Sequence, residues 1–163
     1  MMEKRLLEDH ERIRVIASTL KELLAQEIAP NANQLASARW AFASALMQHL
    51  AIKERHIYSK LDHDPRPDVQ SYFARTKADL MKRFEAYTGH MEAWPTSSAR
   101  ARWPAYRISA THVVDLFLER LSLEERDLLV FVNQRGIDIS TPAPAGTNWT
   151  RKAFEVKDRV ADQ

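Results

Sequence analysis

Residues 6–24 read LLEDHERIRVIASTLKELL. Leu6, His10, Ile13, Ala17, Leu20 and Leu24 recur in alternating steps of four and three, with Ile16 and Leu23 widening the stripe. That spacing puts apolar side chains on one face of an α-helix. His10 is the one polar member of the face. The pattern predicts an amphipathic helix over residues 2–27, ended near Pro30.

Working outward, Asn31-Ala32-Asn33 reads as a turn with an N-cap. A second helix is expected to run to about Leu61, with Leu35, Phe42, Leu46, Leu50, Ile57 and Leu61 inward. Asp62-His63-Asp64-Pro65-Arg66-Pro67 cannot continue it, because two prolines and flanking aspartates favour a turn. A third helix is expected over 67–94, carrying Val69, Phe73, Thr76, Leu80, Phe84, Tyr87, Met91 and Trp94. Pro95-Thr96-Ser97-Ser98 breaks it. The fourth begins around Ala99, with Pro104 in its first turns and Trp103, Tyr106, Ala110, Val113, Phe117 and Leu121 on one side. Ser122-Leu123-Glu124-Glu125 has the form of a capping box, so a kink or restart is expected there, with an end near Gly136. The expected fold is all-α: an up-down-up-down four-helix bundle over 1–136, then a tail over 137–163. The tail is read as a linker and a short amphipathic segment (Trp149, Ala153, Val156, Val160) that docks on the bundle or a partner.

Composition excludes much chemistry. Among 163 residues there is no cysteine, so disulfides, thiolate metal sites and cysteine nucleophiles are out. Three glycines cannot supply a dinucleotide or P-loop phosphate cradle. A net charge of +2, spread along the chain, is no nucleic-acid footprint. No apolar run approaches a membrane span, and Met1-Met2-Glu3-Lys4-Arg5 does not open a signal peptide, so a cytoplasmic location is expected.

His10 and His49 lie at similar sequence distances on either side of the first turn. Two antiparallel helices would therefore bring them to one level, facing one core. The stretches Leu7-Glu8-Asp9-His10-Glu11-Arg12-Ile13 and His49-Leu50-Ala51-Ile52-Lys53-Glu54-Arg55-His56-Ile57-Tyr58 resemble the hemerythrin-like (HHE cation-binding) family, with a fainter echo at Arg120-Leu121-Ser122-Leu123-Glu124-Glu125-Arg126. The resemblance covers roughly residues 5–135. It implies a four-helix bundle with a non-heme di-iron centre between its helices.

The departures from that pattern shape the functional expectation. The family's bridging carboxylate falls on Lys53, with Glu54 one residue further and ~100° around the helix. Its third-helix histidine falls near Thr76, and its fourth-helix histidine on Arg120. No HxxxH, HxxxE or ExxH spacing occurs, which leaves out the ferritin-like di-iron signature. His56, His90 and His112 read as surface or helix-end residues, Asp62-His63-Asp64 as a solvated turn, and Arg100, Arg102 and Arg107 as a basic patch. The expectation is a bundle that has lost its di-iron site and acts non-enzymatically in interaction or regulation, without a cofactor. A polar core of Lys53, Thr76, Arg120 and Glu124 would replace the metal. The alternative is a metal protein, sensing or storing O2, NO or iron at a reduced non-heme iron site of His10, His49 and Glu54. An unidentified protein partner or a homodimer is expected, with no nucleic acid and no membrane.

Overall fold

The computed structural model describes residues 1–143, and those residues form helices and turns. In order they are α1 (Met2–Leu24), α2 (Ala32–Lys53), a π-helical segment (Glu54–Tyr58), α3 (Ser59–His63), α4 (Pro67–Ala93), α5 (Thr96–Ala101), α6 (Trp103–Leu123), a second π segment (Glu124–Leu128) and α7 (Leu129–Gln134). The expected docking segment at Trp149, Ala153, Val156 and Val160 lies outside the described residues. No helix among those described is long and apolar enough to cross a membrane.

Local chemistry sets the ends of these rods. Asn31 Oδ1 accepts from the Gln34 amide at 2.8 Å while Gln34 Oε1 accepts from the Asn31 amide at 3.4 Å, a reciprocal cap on α2. Asp64 is clamped by Arg66, with its Oδ2 2.8 Å from Nη2, and the break is shorter than expected: Asp62 and His63 still belong to α3 and Pro67 opens α4, leaving residues 64–66 as the turn. At the end of α7, Gly136 adopts φ 65°. The Gly136 and Ile137 amides donate back to Asn133 and Val132 at 3.1 and 2.9 Å, satisfying the last carbonyls.

α1 packs against α2 and α6, and α4 packs against α6. The apolar stripes of all four rods meet in one core, at whose centre Phe117 lies 5.0 Å from Phe84, 5.6 Å from Tyr87 and 6.5 Å from Phe42, ring to ring. Two of the arginines expected to form a basic patch are turned to a structural task. Arg107 donates to the Leu24 carbonyl at 2.6 Å and Arg100 to the Pro30 carbonyl at 2.9 Å, capping the end of α1 and its turn. After α7 the chain runs back along the first π segment. Ile139 O accepts from His56 Nδ1 at 2.9 Å, and the Ala143 amide donates to Arg55 O at 2.8 Å.

Three expectations need correcting. The fourth helix starts earlier than Ala99, as the separate turn α5, and turns at Arg102 before α6. Ser122 caps nothing: its hydroxyl donates back to Leu118 O at 3.4 Å, and the helix runs on through the second π segment. His90, at the last turn of α4, is buried, with Nδ1 2.8 Å from Ser109 Oγ and its ring stacked on Tyr106. His112, by contrast, is exposed.

Burial, aided by the charge of Arg39, lowers the pKa of His90 from its ordinary 6.5 to about 4. The unfolded chain therefore takes up this proton first, and stability falls as pH drops from 6.5 towards 4. His90→Phe is expected to flatten that part of the stability–pH curve in urea unfolding series. An unchanged slope would show that His90 is protonated in the folded protein.

Candidate functional site

Midway along the core the apolar packing gives way to a polar cluster. Each rod supplies part of it: His10 from α1, His49 and Lys53 from α2, Glu54 from the first π segment, Thr76 from α4, Arg120 from α6, and Glu124 from the second π segment. All seven are buried, His10 and Glu124 at 1% exposure and His49 at 2%.

The two π segments lie beside the points where polar groups turn inward. An α-helix rotates ~100° per residue, so Lys53 and Glu54 should not share a face. A π turn takes in an extra residue and resets the rotation. It begins at Glu54, and both residues are 4% exposed. The second π turn begins at Glu124 itself.

Glu124 is the hub. Its Oε2 lies 3.0 Å from His10 Nε2 and 3.2 Å from His49 Nε2, and the two imidazole nitrogens are 3.0 Å apart. Its Oε1 accepts from Lys53 Nζ and, at 3.3 Å, from Arg120 Nε. Arg120 spends its other donors on Thr76 Oγ1 at 2.8 Å, Asp79 Oδ2 at 3.1 Å and Tyr58 OH at 3.3 Å. Burial works to raise the Glu124 carboxyl, but Lys53, His10 and His49 outweigh it and hold it well below its ordinary 4.5. Glu124 is thus an anion at neutral pH.

The far side of the His10 ring is engaged by a carboxylate, whereas His49 Nδ1 and Asp9 Oδ2 face each other without a hydrogen bond. His10 Nδ1 lies 2.8 Å from Glu125 Oε1, itself 2.8 Å from Arg14 Nη1. His49 Nδ1 faces Asp9 Oδ2 at 3.5 Å, with Arg12 Nη2 3.4 Å from the other Asp9 oxygen. His49 is the largest influence lowering the Asp9 carboxyl, against burial and with help from Arg12. Arg14 does the same for Glu125, against burial and with help from His10.

The structure brings together His10, His49, Lys53, Thr76, Arg120 and Glu124. Glu54 sits apart from the two histidines' inner nitrogens, its Oε1 accepting from Ser59 Oγ at 3.1 Å. Among the described residues, the His, Asp and Glu side chains whose ligand atoms converge are His10, His49 and Glu124, within 4.8 Å of one another. The carboxylate facing the histidines is therefore Glu124 and not the sequence candidate Glu54. Sequence reasoning missed Asp9, Glu125, Tyr58 and Asp79 as partners. Only the Arg120/Glu124 spacing of four residues hinted at the pairing on the last rod.

A family model, the hemerythrin HHE cation-binding domain, matches residues 1–132. No curated protein and no solved structure matches the chain.

Removing the Glu124 charge strands two buried cations, whereas removing Lys53 leaves the carboxylate still paired with Arg120. Glu124→Gln is expected to cost about 3–5 kcal/mol of unfolding free energy, and Lys53→Met distinctly less. Equal losses in urea denaturation would show that Glu124 is not the hub.

Proposed function

The chain belongs to the hemerythrin HHE cation-binding family, and we propose that it is a member in which an internal salt-bridge network has displaced the dinuclear metal centre. It would act non-enzymatically, through interaction with a protein partner, and not by carrying O2 on a pair of irons. The observation behind this reading is the double engagement of Glu124 Oε1 by Lys53 and Arg120. Two metal ions need five or more inward oxygen and nitrogen ligands and a carboxylate free to bridge. Here an ammonium and a guanidinium stand among the ligand positions, and α4 offers Thr76, which already accepts from Arg120. Adding two dications beside two buried cations is electrostatically prohibitive in a low-dielectric core. These residues do not fit a di-iron centre.

The same reading takes the rods as an up-down-up-down bundle. Its support is the pairing of residues near opposite helix ends. Arg107 near the start of α6 meets Leu24 at the end of α1, while His10 near the start of α1 meets Glu124 just past the end of α6.

Iron loading tests the proposal. Wild-type protein exposed to Fe(II) and air is expected to retain fewer than two irons per chain and to lack the absorption of a bridged iron pair. Two bound irons would overturn it. The triple variant Lys53→Glu, Thr76→His, Arg120→His is expected to raise iron uptake. A folded variant with no gain would show that these positions are not what excludes the second ion.

A further inference from the structure

A helix at a protein surface carries polar or charged side chains on the face it leaves to water. The charged residues of α2 are Arg39 and Lys53, and both are buried, at 3% and 4% exposure. One flank of α2 is turned to α1, where Gln48 Oε1 accepts from Arg12 Nη2 at 3.4 Å. The opposite flank carries Trp40, Ala43, Met47 and Ala51, kept in line by steps of three and four. It borders α4. There the rods meet through long side chains, with Arg39 Nη2 2.7 Å from Trp94 O and the Phe42 ring 6.3 Å from Tyr87. Their backbones stay further apart than those of α1 and α2 or of α4 and α6. The result is a furrow whose α4 wall carries Lys77, Met81 and Thr88, all half-buried. Ala43 and Met47 lie at its bottom, 0% and 2% exposed, and Trp40 stands at its edge at 36%. A floor so dry and free of charge, beneath a gap between rods, calls for an apolar cover.

We propose that residues 149–160 of this same chain seat in the furrow as a short helix antiparallel to α2. The place where the described chain ends supports that occupant. The Ala143 amide donates to Arg55 O at 2.8 Å, so the remaining chain sets out from just past the end of α2. Residues 144–148 span up to ~17 Å when extended. Pro144 and Gly146 suit a reversal there, and Asn148 an N-cap. Beyond them Trp149, Ala153, Val156 and Val160 share one helical face, with Arg151, Glu155 and Asp158 on the other. Twelve residues make a helix of ~18 Å, which fits within the ~33 Å of α2. Alone in water so short a helix is marginal, and the furrow supplies the apolar surface it lacks. The depression between Leu24 and Ile108 is a poorer seat, since it lies at the other end of the rods and is lined by Lys21 and Arg107. The furrow is separate from the buried polar cluster, so the proposal stands apart from any reading of that cluster.

Because the chain has no cysteine, introduced cysteine pairs report on proximity without background. In the full-length protein, Trp40→Cys with Val156→Cys is expected to be joined within one chain by a short bismaleimide in most molecules. Ile108→Cys with Val156→Cys is the control, Ile108 being 77% exposed on α6, and no link is expected there. Adding Ala153→Asp to the first pair sets a charge on the apolar face of the segment and is expected to abolish the link. Circular dichroism establishes that each variant is folded. Absence of a link in the first pair overturns the proposal and leaves the furrow to a separate partner. Equal links in both pairs overturn it as well. A link that joins two chains overturns it in favour of a second copy in the furrow. A link that survives Ala153→Asp overturns it too, because apolar seating would not be what holds the segment.

Discussion

A carboxylate taken out of water must find positive charge or hydrogen-bond donors, and Glu124 sets that demand at the centre of this bundle. Its neighbours meet the demand from three directions: the imidazoles of His10 and His49 on one oxygen, the ammonium of Lys53 and the guanidinium of Arg120 on the other. Thr76 and Asp79 join only through Arg120. The rods are therefore fixed relative to one another by directional contacts as well as by apolar packing. Apolar stripes tolerate sliding by a turn; a shared carboxylate does not. The hub thus sets which levels of the four rods face each other.

The rods were legible from the sequence because each carries a long stripe at helical spacing and is bounded by prolines or an asparagine cap. Leu6 through Leu24 and Val69 through Met91 are buried as the stripes predict. The levels of His10 and His49 followed from counting residues on either side of one turn, and their rings indeed meet edge to face at 4.7 Å. The identity of the facing carboxylate did not follow. A helical wheel turns Glu54 away from Lys53 and gives no warning of a π turn, since nothing in the text of residues 54–58 distinguishes it from ordinary helix. The capping-box reading of Ser122 to Glu125 failed for a related reason. A local motif was taken as a helix start, while the burial of Glu124 is decided by residues more than seventy positions away. The arginines of α5 and α6 looked like a surface patch because the carbonyls they cap belong to a turn distant in sequence.

Family membership and site composition answer different questions here. The scaffold is recognisable over residues 1–132, as expected when apolar periodicity and turn placement carry the match. The site is set by a handful of side chains, and a change among them would leave the scaffold intact. In this core Lys53 and Arg120 set an ammonium and a guanidinium on the Glu124 carboxylate.

The contact between His10 and Glu124 spans 114 residues. Chains are made from the amino end, and contacts so distant in sequence close late because of the loop entropy they must overcome. During synthesis Lys53 and both histidines therefore emerge long before their common anion. Until the last rod arrives, the ammonium keeps its hydration shell and the first three rods lack the charge that would let them close tightly. The carboxylate works as a completion signal: the interior dries only when nearly the whole bundle has been made, and a chain stopped before residue 124 stays open and wet at its middle.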